Sequence, residues 1–170
     1  YNGFNGEFEL VEQTTGKSAN SQTTTSVLKH TSGLAFELIS VYYPEYAAFD
    51  FTLYFSNETK ANSPIVSDVR AKLNFVGNDP HVITSTGDSG KFAPLEFDVT
   101  EKRTFAPSAG RSTEGAYPYY NLEIGDGGAL IAVGWTQQWS ASFDKTADGA
   151  VFESGQEVFS SYLKPGETAR

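Results

Sequence analysis

The sequence predicts an all-β fold, an antiparallel two-sheet sandwich or supersandwich of about a dozen strands. Two observations lead there. Apolar residues alternate with polar ones wherever a period is visible, as in "AAFDFTLYFSN", and Gly, Pro, Asn and Asp punctuate nearly every gap between such runs. No segment carries the 3.6-residue period of an amphipathic helix, so helices longer than about two turns are not expected.

Near the N-terminus, "TTGKSANSQTTTS" (Thr14 to Ser26) is of low complexity and reads as a loop or hairpin. "LAFELISVYY" (Leu34 to Tyr43) follows as a strand. In the next run Phe49, Phe51, Leu53 and Phe55 share one face, with Asp50, Thr52 and Tyr54 on the other. Val69, Ala71, Leu73 and Phe75 repeat the pattern. The polar turn "SNETKANSP" suggests that these two strands are antiparallel neighbours. "PLEFDVTEKRTF" (Pro94 to Phe105), "YYNLEI", "ALIAVGW", "WSASFD" and "EVFSSYL" supply the remaining strands.

A length of 170 residues, 39% hydrophobic and 14% aromatic, suits a single domain spanning residues 1–170 with a real core. The formal charge of −9 argues against a nucleic-acid partner. No apolar run reaches the roughly 18 residues of a membrane-spanning helix, and "YNGFNGEFEL" has neither the basic nor the apolar region of a signal peptide, so the chain reads as soluble with its compartment open. Without cysteine, and with two histidines in unlike contexts, no metal site or cofactor is expected. Methionine is absent even at position 1, which suggests a processed product or a piece of a longer polypeptide.

Short motifs invite stronger readings than they support. Gly87, Asp88, Ser89 and Gly90 spell "GDSG", similar to a serine-protease nucleophile loop, but nothing in the sequence brings His30 to Ser89, so a tight turn is expected. "DKTADG" (Asp144 to Gly149) lacks the alternating oxygens of a calcium loop and reads as a hairpin turn. Asn57, Glu58 and Thr59 form a glycosylation sequon. The 21 carboxylates show no spacing that singles out an acid/base pair, so no catalytic residue is assigned.

Both tryptophans of the chain lie in "GGALIAVGWTQQWSASFD" (Gly127 to Asp144). In one continuous strand Trp135, Gln137 and Trp139 would share a face, with Gln138 opposite. Two flat indoles beside amide donors could stack on a sugar ring. The same indoles could instead fill a core or an interface, each donating its single N–H.

This stretch resembles the G-G-x-(I/L)-x-A-(I/V)-G-W-(S/T)-G-Q-W-x-A-x-F signature of the N-terminal β-sandwich in α-galactosidase (melibiase)-like glycoside hydrolases of the family 36 type. The resemblance continues in "AGRSTEGAYPYYNLE", through Gly110, Arg111, Ser112, Pro118, Asn121 and Leu122, in "YYPEYAAFDFTLYFSNETKANSPIVSDVRA", and in "LKPGETAR" at the end. It covers residues from about Tyr42 to Arg170, with Gln137 standing where the family usually has glycine. It implies a non-catalytic domain that precedes a (β/α)8 catalytic barrel and packs on it. On that reading Trp135, Gln137, Gln138 and Arg111 are candidate contacts to sugar or barrel, with Trp139 the more buried indole. Arg111 is expected to hold its long loop. The implied partner is the barrel of the same polypeptide, with oligosaccharide as a second candidate; an independent carbohydrate-binding module is the alternative function.

Overall fold

The computed structural model describes residues 8–88 and 90–170. It is all-β: the described residues form β1 (Phe8–Lys17), β2 (Gln22–His30), β3 (Leu34–Tyr43), β4 (Ala48–Asn57), β5 (Val66–Ser67), β6 (Ala71–Val76), β7 (His81–Ser85) and β8 (Pro94–Asp98). The chain continues through β9 (Arg103–Phe105), β10 (Tyr119–Ile124), β11 (Gly127–Ala132), β12 (Trp139–Lys145), β13 (Gly149–Gln156), β14 (Ser160–Ser161) and β15 (Thr168–Ala169). The one helical turn among the described residues is 3₁₀, at Pro44–Tyr46.

Two compact units divide the chain, Tyr1–Ile65 with Ser161–Arg170, and Val66–Ser160. The first is a five-stranded antiparallel sheet in the order β1-β2-β3-β4-β15. The low-complexity stretch forms its first hairpin, closed where Ser18 N donates to Ser21 O at 2.8 Å. A threonine-rich segment suits this because β-branched side chains fit a pleated surface. Asn57, at the end of β4, is 1% exposed. Its Nδ2 donates to Ala61 O and Leu163 O at 2.8 and 2.9 Å, and its Oδ1 accepts from Thr59 N and Thr59 Oγ1. The sequon asparagine is thus a clamp joining the β4 turn to the C-terminal segment.

In the second unit two four-stranded antiparallel sheets, β11-β10-β7-β8 and β6-β13-β12-β9, enclose one apolar core. Alternation does the sorting: Tyr120, Leu122 and Ile124 point inward from β10, while Phe143 and Phe152 meet them from β12 and β13. Tyr120 and Phe143 pack edge to face at 5.2 Å, and Phe143 lies 5.0 Å from Phe152. Trp139, Phe143, Leu122 and Val82 are 0% exposed. "DKTADG" is the β12–β13 hairpin turn, with Thr146 N donating to Gly149 O.

Three expectations fail. β4 and β6 are not neighbours, because β4 pairs with β3 and β15 while β6 pairs with β13. "PLEFDVTEKRTF" is two strands in different sheets, broken at 99–102 just after Val99 N makes the last bond of the β7–β8 register, to Pro80 O at 2.8 Å. Phe49 and Phe51 are not core residues: Phe55 is 4% exposed, but Phe51 is 40% and Phe49 57% exposed.

Candidate functional site

Three loops of the second unit are tied into one cluster. The loop 86–93 closes the β7–β8 hairpin, with Thr86 N donating to Ala93 O at 3.0 Å. The loop 107–118 joins it through Asp88, whose N–H donates to Thr113 O at 2.8 Å and whose carboxylate accepts from Thr113 Oγ1 at 2.9 Å. Gly87 makes this approach possible. Its φ is +74°, and a Cβ there would stand 2.1 Å from Thr113 O. The tight turn expected of "GDSG" thus serves as a loop-to-loop joint, while Ser89 lies outside the described residues.

The third loop, 133–138, carries the tryptophan motif. β11 ends at Ala132, with Val133 N still donating to Pro118 O in the same register, and β12 starts only at Trp139. The continuous strand that would put Trp135, Gln137 and Trp139 on one face therefore does not form. Gln138 bridges to the neighbouring loop: its Oε1 accepts from Gly110 N at 3.0 Å and its Nε2 donates to Pro107 O. Trp139 donates its indole N–H to Ser112 O at 2.9 Å. Core packing and loop anchoring are thus combined in one side chain.

Of the four candidate contact residues, Gln138 is half-buried and engaged, and Gln137 is exposed. Trp135 is half-buried, packed against the rim of the core. Arg111 pairs with Glu114 three residues on, and its side chain remains 64% exposed. Arg111 is therefore not what holds its loop to the others; Gln138, Trp139 and Asp88 do so. The structure places Arg111, Trp135, Gln137 and Gln138 on the tied loops at one end of this unit.

Beside these loops lies a feature that the motifs did not disclose, an open trough of about 410 Å³ on the outer face of β11-β10-β7-β8. Leu130, Asn121 and Ile83 form one rung of its floor and Ala132 and Tyr119 the next, and Phe92 and Tyr117 also line it. Tyr119 and Leu130 are 55% and 87% exposed. Phe92 and Tyr117 meet edge to face at 5.5 Å, and Tyr117 lies 5.1 Å from Tyr119. The buried Ser85 Oγ has no hydrogen-bond partner among the described residues. Along the same face the register then brings Asp98, His81 and Glu123 into one row, with His81 Nδ1 2.8 Å from Asp98 Oδ1. The face thus grades from apolar beside the loops to charged at the far end. The available signal was parity: Tyr119 sits at an outward position of β10, where a solvated strand would carry a polar residue.

No family model matches the chain, and no curated protein does. Solved structures do. α-Galactosidase AgaA of Geobacillus stearothermophilus, of family GH36, superposes with a TM-score of 0.73 at 18% identity, over 94% of this chain and 24% of that one. The chain has the fold of part of the GH36 α-galactosidases. AgaB of the same organism gives 0.76 at 16% identity, over 95% and 26% of the two chains. The Lactobacillus brevis α-galactosidase gives 0.72 at 11%, over 95% and 25%. This chain therefore spans about a quarter of the length of the GH36 structures that it matches.

Proposed function

We propose that residues 1–170 are a non-catalytic β domain of an α-galactosidase-like glycoside hydrolase, N-terminal to a (β/α)8 catalytic barrel and packed on it. The observation that carries this is the match of nearly the whole chain to a quarter of each GH36 enzyme. The graded outer face supports it. Isolated apolar side chains on a surface are ordinary, but a trough lined mainly by aromatic and aliphatic groups, with Asn121 set between Leu130 and Ile83, marks a contact. On this reading Phe92, Tyr119 and Leu130 pack on the barrel, while Trp135, Gln137 and Arg111 reach from the tied loops toward the rim of its pocket. The domain contributes binding area and loop position, and hydrolysis belongs to the barrel.

A second reading, a carbohydrate-binding module, draws support from the aromatic corner of Phe92, Tyr117 and Tyr119 beside the unengaged Ser85 hydroxyl. Ile83 and Leu130, on either side of Asn121, favour a protein partner over a hydroxyl-rich ligand. An experiment separates the two. The isolated chain should not hydrolyse an aryl α-galactoside and should not bind raffinose, whereas Leu130→Asp in the polypeptide that carries the barrel should lower its melting temperature. Hydrolysis by the purified chain would sink the reading, and so would raffinose binding that Tyr119→Ala abolishes.

A further inference from the structure

The five-stranded sheet of the first unit has two edges, and they are built differently. β1, at one side, carries Glu9, Glu12 and Lys17, and Val11 is an extra residue in its register between Leu10 and Glu12. Bulges and charges of this kind keep a free edge from pairing. β4, at the other side, runs in unbroken register with β3 from Ala48 to Asn57, and Asp50 is its one charged residue. β15 covers only its end, with Thr168 opposite Ser56 and Ala169 opposite Phe55. Asn57 shows which backbone groups face that side: its N–H donates to Glu167 O at 3.0 Å, and its carbonyl accepts from Gly166 N at 2.8 Å. Every second residue of a strand faces the same neighbour, so Phe55, Leu53, Phe51 and Phe49 turn their N–H and C=O groups the same way. Phe55 meets Ala169. Leu53, Phe51 and Phe49 meet no strand on that side among the described residues.

We propose, on the reading that this domain precedes a barrel, that the polypeptide following Arg170 continues β15 as an antiparallel strand along the open edge of β4. Register sets the pairing. Because Ala169 lies opposite Phe55, the first, third and fifth residues after Arg170 come opposite Leu53, Phe51 and Phe49 and exchange backbone hydrogen bonds with them. A flat, aromatic edge left open would pair with other chains. The tethered segment wins that competition, because β15 delivers it already in line with the edge, and a short tether holds it at an effective concentration on the order of millimolar. The way out of the first unit is thereby fixed: the segment that leads to the barrel departs from the Ala48 end of β4, as a bonded strand rather than a loose linker.

Hydrogen exchange resolved to single amides, in the isolated chain and in the polypeptide that carries the barrel, tests this. In the isolated chain Leu53, Phe51 and Phe49 should exchange fast at every protein concentration, while Thr52 and Tyr54, whose amides face β3, should be protected. In the longer polypeptide the Leu53 and Phe51 amides should slow by more than about tenfold, with Thr52 and Tyr54 unchanged. A proline at the third position after Arg170 should return Phe51 to fast exchange, because proline cannot donate to the ladder. A proline at the fourth, whose N–H points away from β4, should not. Fast exchange at Leu53 and Phe51 in the longer polypeptide overturns the proposal, as does protection that survives the third-position proline. So does protection in the isolated chain that grows with concentration, which would put a second copy on the edge. An edge that stays open while Tyr119 is shielded refutes this inference alone, whereas an edge that pairs while Tyr119 stays exposed refutes only the docking of the trough.

Discussion

The indole nitrogen of Trp139 donates to the carbonyl of Ser112 at 2.9 Å, so the largest fully buried side chain of the molecule also holds the loop that carries Arg111. Trp139→Ala removes both roles and should cost about 3 to 5 kcal/mol. Trp139→Phe keeps most of the apolar volume but leaves the Ser112 carbonyl without its donor, for about 1 to 2 kcal/mol. Trp135, half-buried at the rim, should cost distinctly less as alanine. Chemical denaturation of the three variants checks the order, and equal large losses at both tryptophans would contradict it.

Asn57 satisfies its amide completely within the fold, through Ala61, Leu163 and Thr59. Asn57→Ala removes the hydrogen bonds of a buried amide, although Ala61 O keeps Thr59 Oγ1 and Leu163 O keeps Ser63 N as donors, and should cost about 1 to 3 kcal/mol. A folded chain offers this asparagine to no transferase. Treatment of the folded protein with an oligosaccharyltransferase and a glycan donor should leave the intact mass unchanged, and a glycan at Asn57 would show that the clamp opens.

The fold was legible because period-2 alternation is local. Tyr120, Leu122 and Ile124 against Tyr119, Asn121 and Glu123 can be read without knowing any partner strand. Pairing was less legible, since the turn after Asn57 looks like a hairpin until Leu163 and Glu167 claim the end of β4. The loop end of the second unit was half legible. The tryptophan motif pointed to the right region, but parity along "WTQQW" misled, because regular strand ends near Val133 and resumes only at Trp139. Of the trough only the outward parity of Tyr119 was legible: Phe92 belongs to a different hairpin, and strand order alone brings it beside Tyr119 and Leu130.

Tyr120 is 2% exposed, its hydroxyl has no hydrogen-bond partner among the described residues, and burial pushes its phenol well above the ordinary tyrosine range. Above about pH 10 the unfolded chain loses this proton while the folded chain keeps it. The folded state then binds more protons than the unfolded, so stability falls as pH rises, by up to about 1.4 kcal/mol per pH unit for this one group. Tyr120→Phe should remove that part of the alkaline loss. At neutral pH it should be neutral or mildly stabilising, because no bond is sacrificed. Thermal melts at pH 7 and pH 10.5 check both halves, and a variant that is weaker at both would show that the hydroxyl has a partner.

At Gly87, a side chain would have to tolerate φ of +74° and displace the Thr113 carbonyl. Gly87→Ala should therefore cost more than about 2 kcal/mol and loosen the loop 107–118. Amide exchange at Gly110 and Glu114 should quicken in the variant; unchanged exchange would mean that the loops are not held through this joint.

On the proposed function, the outer face of β11-β10-β7-β8 and its adjoining loops dock a catalytic domain. Hydroxyl-radical footprinting measures it directly, by comparing the isolated chain with the polypeptide that carries the barrel. Phe92, Tyr119, Leu130 and Trp135 should oxidise readily in the isolated chain and be protected several-fold in the longer one, while Val76, 81% exposed outside the trough, should react equally in both. Equal oxidation of the trough residues in the two proteins would contradict the account.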